Sequence, residues 1–130
     1  HSFSYGLLPH AGDWRNGTIP LSYQLNNPAF AVANPAADGG EASHYALVQV
    51  DAVHVVIETV KAAEDGRGLI VRLYESQQQR GPVTLTAMQP IQAAHRCNLL
   101  EDDQETLQPD GQTLTLHIKP FEIQTIRLEF

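Results

Sequence analysis

The sequence predicts an all-β fold, an antiparallel β-sandwich of about eight short strands, with one short helix or irregular extended segment over residues 19–26. Three observations lead there. Short stretches of alternating apolar and polar residues recur at a spacing of about 8 to 12 residues, bounded by Gly, Pro and Asn. Residues branched at Cβ, which lose side-chain freedom on a helix and fit a pleated sheet, concentrate in those stretches. No long segment repeats apolar residues at helical spacing. The 130 residues read as a single domain, 1–130, with no internal repeat. That length is enough to bury roughly two-thirds of the unfolded surface without a disulfide or a metal.

The chain is expected to be organised around Val53 to Ser76. Val53, Val55, Val56, Ile57, Thr59 and Val60 form one strand-like half; Leu69, Val71 and Leu73 alternate with Ile70, Arg72 and Tyr74 in the other. Between them Gly66 and Gly68 supply the positive φ that a reversing chain needs, so a hairpin with a loop of about five residues is predicted. Apolar residues on both faces near Val55 to Ile57 point to the central pair of a sheet.

From the start of the chain, Phe3, Tyr5 and Leu7 alternate on one face of a strand over residues 1–8, which Pro9 ends. A chain that opens inside such an element is expected to be a piece of something longer. Residues 11–17 form a polar loop, Pro20 suits the first turn of a helix, Ala29 to Val32 suggest a short strand, and residues 34–40 an exposed loop. Ser43 to Asp51 alternate as a strand covered on both faces. Gln77 to Pro82 make a polar turn, and Val83, Leu85 and Ala87 alternate with Thr84, Thr86 and Met88 in a half-buried strand. Ile91 to Leu99 form another strand, leading into an acidic loop at Glu101 to Glu105. Leu114, Leu116 and Ile118 face inward, Lys119-Pro120 makes a corner, and Phe121, Ile123, Ile126, Leu128 and Phe130 carry the last strand. The change of face between Ile123 and Ile126 predicts a bulge near Gln124-Thr125.

Composition narrows the function. The apolar content of 42% is ordinary for a globular domain, and no run approaches the roughly 20 apolar residues that cross a bilayer, so no membrane span is expected. A net charge of −7 with 8 basic residues repels phosphate backbones and anionic membranes, which argues against a nucleic-acid partner. A single cysteine, Cys97, excludes an internal disulfide and favours the cytosol.

Chemical motifs are few. His95 and Cys97 share a strand face but make at most a zinc half-site, and Glu101-Asp102-Asp103-Glu105 lacks the ligand alternation of a calcium loop. No nucleophile elbow or phosphate cradle is present, Asn16-Gly17-Thr18 is a formal glycosylation sequon, and Glu58, Glu75 and Glu101 read as edge or surface charges. Neither a catalytic nor a metal-binding residue is predicted. The weak candidates for carbohydrate binding are His10, Trp14 and Arg15, where an aromatic ring and polar neighbours stand in one loop able to stack on a sugar.

Several ordered blocks share a further pattern. Phe3-Ser4-Tyr5-Gly6-Leu7-Leu8-Pro9-His10, Gly12-Asp13-Trp14, Leu25-Asn26-Asn27-Pro28, Val55-Val56-Ile57-Glu58-Thr59-Val60-Lys61, Ala63-Glu64-Asp65, Val71-Arg72-Leu73-Tyr74-Glu75, Asn98-Leu99-Leu100-Glu101 and Pro120-Phe121-Glu122-Ile123-Gln124-Thr125 run along almost the whole chain. Together they resemble the C-terminal region of glycoside hydrolase family 38 α-mannosidases, in the branch that holds bacterial enzymes and the cytosolic animal enzyme. Asn98 stands where an aspartate is common and Gly6 where an alanine is common.

The resemblance implies a β-sandwich at the C-terminal end of a large hydrolase whose nucleophilic aspartate and zinc ligands lie in a separate N-terminal domain. It therefore transfers no catalytic residue and no cofactor to this chain. It implies a parent reaction of retaining, zinc-dependent hydrolysis of terminal α-linked mannose, with the other domains of the parent as partners and mannose-containing glycans reached through it. The alternative is a stand-alone carbohydrate-binding module.

Overall fold

The computed structural model describes residues 3–31 and 45–130. The chain divides into two compact units, His1–Ala42 and Ser43–Phe130. The second unit holds eight antiparallel strands in two sheets: β1 (Val48–Val50), β2 (Val55–Ala62), β3 (Leu69–Glu75), β4 (Gly81–Ala87), β5 (Ala93–Cys97), β6 (Asp103–Leu107), β7 (Thr113–Ile118) and β8 (Ile123–Glu129). One sheet has the order β1-β4-β7 and the other β2-β3-β8-β5-β6. The predicted all-β sandwich is therefore present.

Alternation decides which side chains meet between the sheets. Val83, Leu85 and Ala87 of β4 and Leu114, Leu116 and Ile118 of β7 project from the three-stranded sheet; Val55, Val71, Leu73, Ala94, Ile126 and Leu128 project from the five-stranded one. Leu73, Leu85, Ile126 and Leu128 are wholly buried, and each such side chain contributes roughly 1.5–3 kcal/mol of burial. At one end Gln124 takes a core-side position and its amide donates to the His117 carbonyl at 2.8 Å, joining β8 to β7 across the layers.

The hairpin forms as expected, with register Val60↔Val71 and Ala62↔Leu69 and positive φ at Gly66 and Gly68. It is not the central pair. β2 is an edge strand, and the middle of the sheet is β8, flanked by β3 and β5. Val56 and Ile57 are only half-buried, because among the described residues nothing pairs beyond β2, whereas residues 124–128 are buried in unbroken succession. The bulge expected near Gln124-Thr125 is absent, since β3 and β8 keep one register from Tyr74↔Ile123 to Leu69↔Leu128. Register shifts occur instead between Ile57 and Thr59 and between Arg96 and Cys97.

Other elements differ from expectation for the same kind of reason, a missing neighbour or an unforeseen one. Only Val48–Val50 of the strand proposed for Ser43 to Asp51 pairs, and Tyr45 and Leu47 are exposed; Ser43 and His44 lie outside the described residues. The acidic stretch does not stay a loop, because Asp103 to Leu107 pair with β5 as β6. Strand β5 itself, β4 and β7 fall where the alternation put them.

In the first unit the alternatives for residues 19–26 resolve to a helix, α1 (Thr18–Asn26), with Pro20 in its first turn and Gly17 at φ 99 before it. The Asn27 amide closes its end on the Tyr23 carbonyl at 2.8 Å. Residues 3–8 form no strand. Phe3, Tyr5 and Leu7 are 86%, 87% and 92% exposed, so their alternation has neither a paired strand nor a covered face to act on. Residues 29–31 are also irregular, while Val32 and the predicted loop 34–40 lie outside the described residues, as do His1 and Ser2.

Candidate functional site

The three sequence candidates for sugar contact lie in the first unit. Arg15 is turned back on its own loop: its amide donates to Asp13 Oδ1 at 2.9 Å and its guanidinium to Asp13 Oδ2 at 2.7 Å. The guanidinium carbon stands 4.6 Å from the centroid of the Trp14 ring, a cation–π contact that occupies one ring face. His10 bonds elsewhere, through Nε2 to Thr18 Oγ1 at 3.3 Å. Trp14 and Arg15 are thus brought together, and His10 is tied to the start of α1.

A second constellation, which the sequence analysis did not single out, is built around Arg127. Its neighbours Ile126 and Leu128 face the core, so Arg127 leaves the opposite face of the five-stranded sheet, yet its side chain is only 2% exposed. The guanidinium donates to four acceptors: Asp103 Oδ1, Asp65 Oδ1 and the Glu101 carbonyl at 2.8 Å each, and the Arg67 carbonyl at 3.0 Å. The turn at 63–68 and the turn at 98–102 are thereby drawn over one half of the sheet. Lys61 adds a second tie, 2.7 Å from Glu101 Oε1 and 2.5 Å from Glu64 Oε1, and the Glu64 amide donates to Glu101 Oε2 at 2.8 Å.

The electrostatics follow from this wiring. Burial alone would make the Arg127 cation easier to lose, but the bonds to Asp65 and Asp103 outweigh it and hold the guanidinium more firmly protonated than usual. The Arg67 amide and then Arg127 keep Asp65 well below the usual carboxylate range. Glu101 is lowered by the Glu64 amide and then Lys61. For Asp103, burial pushes upward and is overcome by the Cys97 thiol and Arg127. Burial, reinforced by the bond from its thiol to Asp103 at 3.2 Å, pushes Cys97 up, the opposite of what a thiolate ligand or nucleophile needs.

Glu75 makes a third polar centre. It was read as an edge or surface charge, and so was Glu101, but they are 1% and 8% exposed. The Glu75 carboxylate accepts from the amides of Gln77, Gln78, Gln79 and Phe121 at 2.7 to 3.0 Å, pinning the 76–80 turn to the corner after β7. Burial raises its pKa and these four donors more than reverse the effect. Glu75→Ala is expected to cost about 3 kcal/mol, because buried amides lose their acceptor, and Glu75→Gln less. Urea denaturation of the two variants measures the difference.

All four carboxylates, Asp65, Glu75, Glu101 and Asp103, titrate below their ordinary values in the folded state. Each therefore binds fewer protons folded than unfolded at pH values between its folded and its unfolded value. Their stabilisation is complete above the unfolded values near about pH 4 and is lost as the pH falls through the folded ones. Thermal melts from about pH 7 to about pH 3 should show a flat midpoint that drops steeply in the last unit or so.

Each acid in these clusters is engaged by amides or cations. Among the described residues no three His, Cys, Asp or Glu side chains come close enough to hold a metal ion, and no helix is long and apolar enough to cross a membrane.

The family model for the "Glycosyl hydrolases family 38 C-terminal beta sandwich domain" matches residues 54–126, from the turn before β2 to the middle of β8. The chain belongs to this family. It is 35% identical over 134 aligned residues to the human protein named alpha-mannosidase 2C1 and 34% identical to its mouse counterpart, with 98% of this chain aligned in each case. Alpha-mannosidase G of Dictyostelium discoideum is 29% identical over 133 residues. The chain spans only 13% of the length of the mammalian proteins and 12% of that of the slime-mould protein. A family 38 C-terminal β-sandwich is what the sequence resemblance implied.

Proposed function

We propose that this chain is a noncatalytic C-terminal structural domain of an α-mannosidase, packing on and supporting the catalytic part of a larger polypeptide. The observation that carries the reading is the match over 98% of this chain to 12–13% of proteins named as α-mannosidases. The commitment of Asp65, Glu75, Glu101 and Asp103 to structural bonds supports it, as does α1. That helix buries none of its residues, and nine residues are too few for a helix to persist without tertiary contact.

The parent reaction in this reading is retaining hydrolysis of terminal α-linked mannose, with mannose-containing glycans as substrates. In this reading the zinc of the parent is held by its catalytic part rather than by this chain. A cytoplasmic location goes with the reading, supported by the buried, unpaired Cys97, and the net charge of −7 disfavours nucleic acid and anionic membranes as partners. A stand-alone carbohydrate-binding module has less support, since one face of Trp14 is taken by Arg15.

The test is hydrolysis of an aryl α-mannoside by the full-length protein and by this chain alone. Turnover by the former and none by the latter is expected. Zinc-dependent turnover by the chain alone would overturn the reading.

A further inference from the structure

We infer that the outer face of the five-stranded sheet, from Val56, Tyr74 and Ile123 to the tip at Leu99-Leu100, is the surface on which this chain docks against another domain of its own polypeptide. The inference rests on the proposed function and names the surface that function requires.

The face is divided in two. Where Ile70, Arg127 and His95 lie side by side, the turns at 63–68 and 98–102 cover it. At the other end Val56, Tyr74 and Ile123 stand opposite one another on β2, β3 and β8, on the side away from the core residues Leu73 and Ile126. An open sheet face normally carries polar side chains in this place. Here the residues are apolar or aromatic, and Ile123 is 61% exposed. The tip borders the same face, because Arg72, two residues before Tyr74, donates to the Leu99 carbonyl at 3.4 Å. Leu99 and Leu100 are 65% and 82% exposed.

The tip is rigid, which scattered surface leucines are not. Asn98 Oδ1 accepts from the amides of Leu100 at 2.8 Å and Asp102 at 3.0 Å, while Arg127 and Lys61 hold Glu101 from below. Glu101 sits at φ 71, a left-handed conformation that a non-glycine residue adopts only when its surroundings impose it. Both leucines are thus presented outward in a fixed geometry, so docking them loses little conformational freedom. Apolar side chains on an open sheet face, joined through Arg72 to a preformed apolar knob, mark an interaction site rather than ordinary surface.

The occupant follows from length. In the mammalian relatives the region matching this chain is 13% of the polypeptide, so most of the surface that could cover the patch is tethered to it. Tethering gives an effective concentration that a separate partner does not have.

Hydroxyl-radical footprinting of the full-length protein tests the inference, with Val53, 87% exposed and outside the patch, as internal standard. Leu99, Leu100, Tyr74 and Ile123 should be oxidised about tenfold more slowly than Val53 after correction for intrinsic reactivity, as for a face open no more than about a tenth of the time. A photo-crosslinking residue in place of Leu100 should join to peptides of the same polypeptide outside these 130 residues. Oxidation matching that of Val53 would overturn the inference, as would cross-links only between copies or only to residues 3–31. Hydrolysis of an aryl α-mannoside by the same sample keeps the two readings apart. Hydrolysis with an unprotected patch removes the docking surface alone, and protection without hydrolysis supports docking while removing the mannosidase reading.

Discussion

Arg127→Met is expected to destabilise the protein by about 3–5 kcal/mol, although methionine fits the volume and no apolar contact is lost. The substitution removes the donor shared by Asp103, Asp65 and the carbonyls of Arg67 and Glu101, leaving acceptors stranded under two turns. Arg127→Lys should recover little, since one ammonium cannot reach acceptors on three separate segments that a planar guanidinium spans at once. The exposed Arg80→Met is the control and should stay within about 0.5 kcal/mol. Chemical denaturation of the three variants separates a buried tie from an ordinary surface charge.

Gly68→Ala should be comparably damaging, at about 3–5 kcal/mol, for a different reason. A Cβ at this position would lie 2.1 Å from the Leu128 carbonyl oxygen, a backbone atom of the central strand that cannot swing aside. The residue also has φ +75, which L side chains rarely adopt. Gly66 shares that conformation at φ +77 but has nothing within 4 Å of its Cβ position, so Gly66→Ala should cost only about 1 kcal/mol. Subtracting the two isolates the close approach of the hairpin loop to β8. Melting curves measured side by side provide the values.

The sandwich was legible because alternation at Val83, Leu85 and Ala87 and at Leu114, Leu116 and Ile118 reports directly which residues lie between two sheets. Sheet order was not, because pairing partners are chosen across the chain. β8 is central, yet Gln124, Thr125 and Arg127 make it read as a half-exposed strand with a bend. Each of those polar residues is buried by a specific bond: Gln124 to the His117 carbonyl, Thr125 to Arg72, Arg127 to two turns. The strand predicted at residues 1–8 failed for the opposite reason, correct local pattern without a neighbour. For the charged clusters the sequence held one weak signal, two acidic turns at Glu64-Asp65 and Glu101 to Asp103 with nearby arginines. Nothing local shows that Glu75 would meet four amides. Family membership was carried by the ordered blocks, not by any one residue.

The most direct measurement is the turnover of an aryl α-mannoside by full-length protein carrying Asp103→Asn, taken well below its melting temperature and normalised to folded protein. If the buried charges serve only to hold the turns, kcat and its pH profile remain those of the unsubstituted protein while the temperature of inactivation falls. A drop in kcat of several orders of magnitude with an unchanged melting temperature would place a reacting group inside this sandwich and contradict a purely structural role.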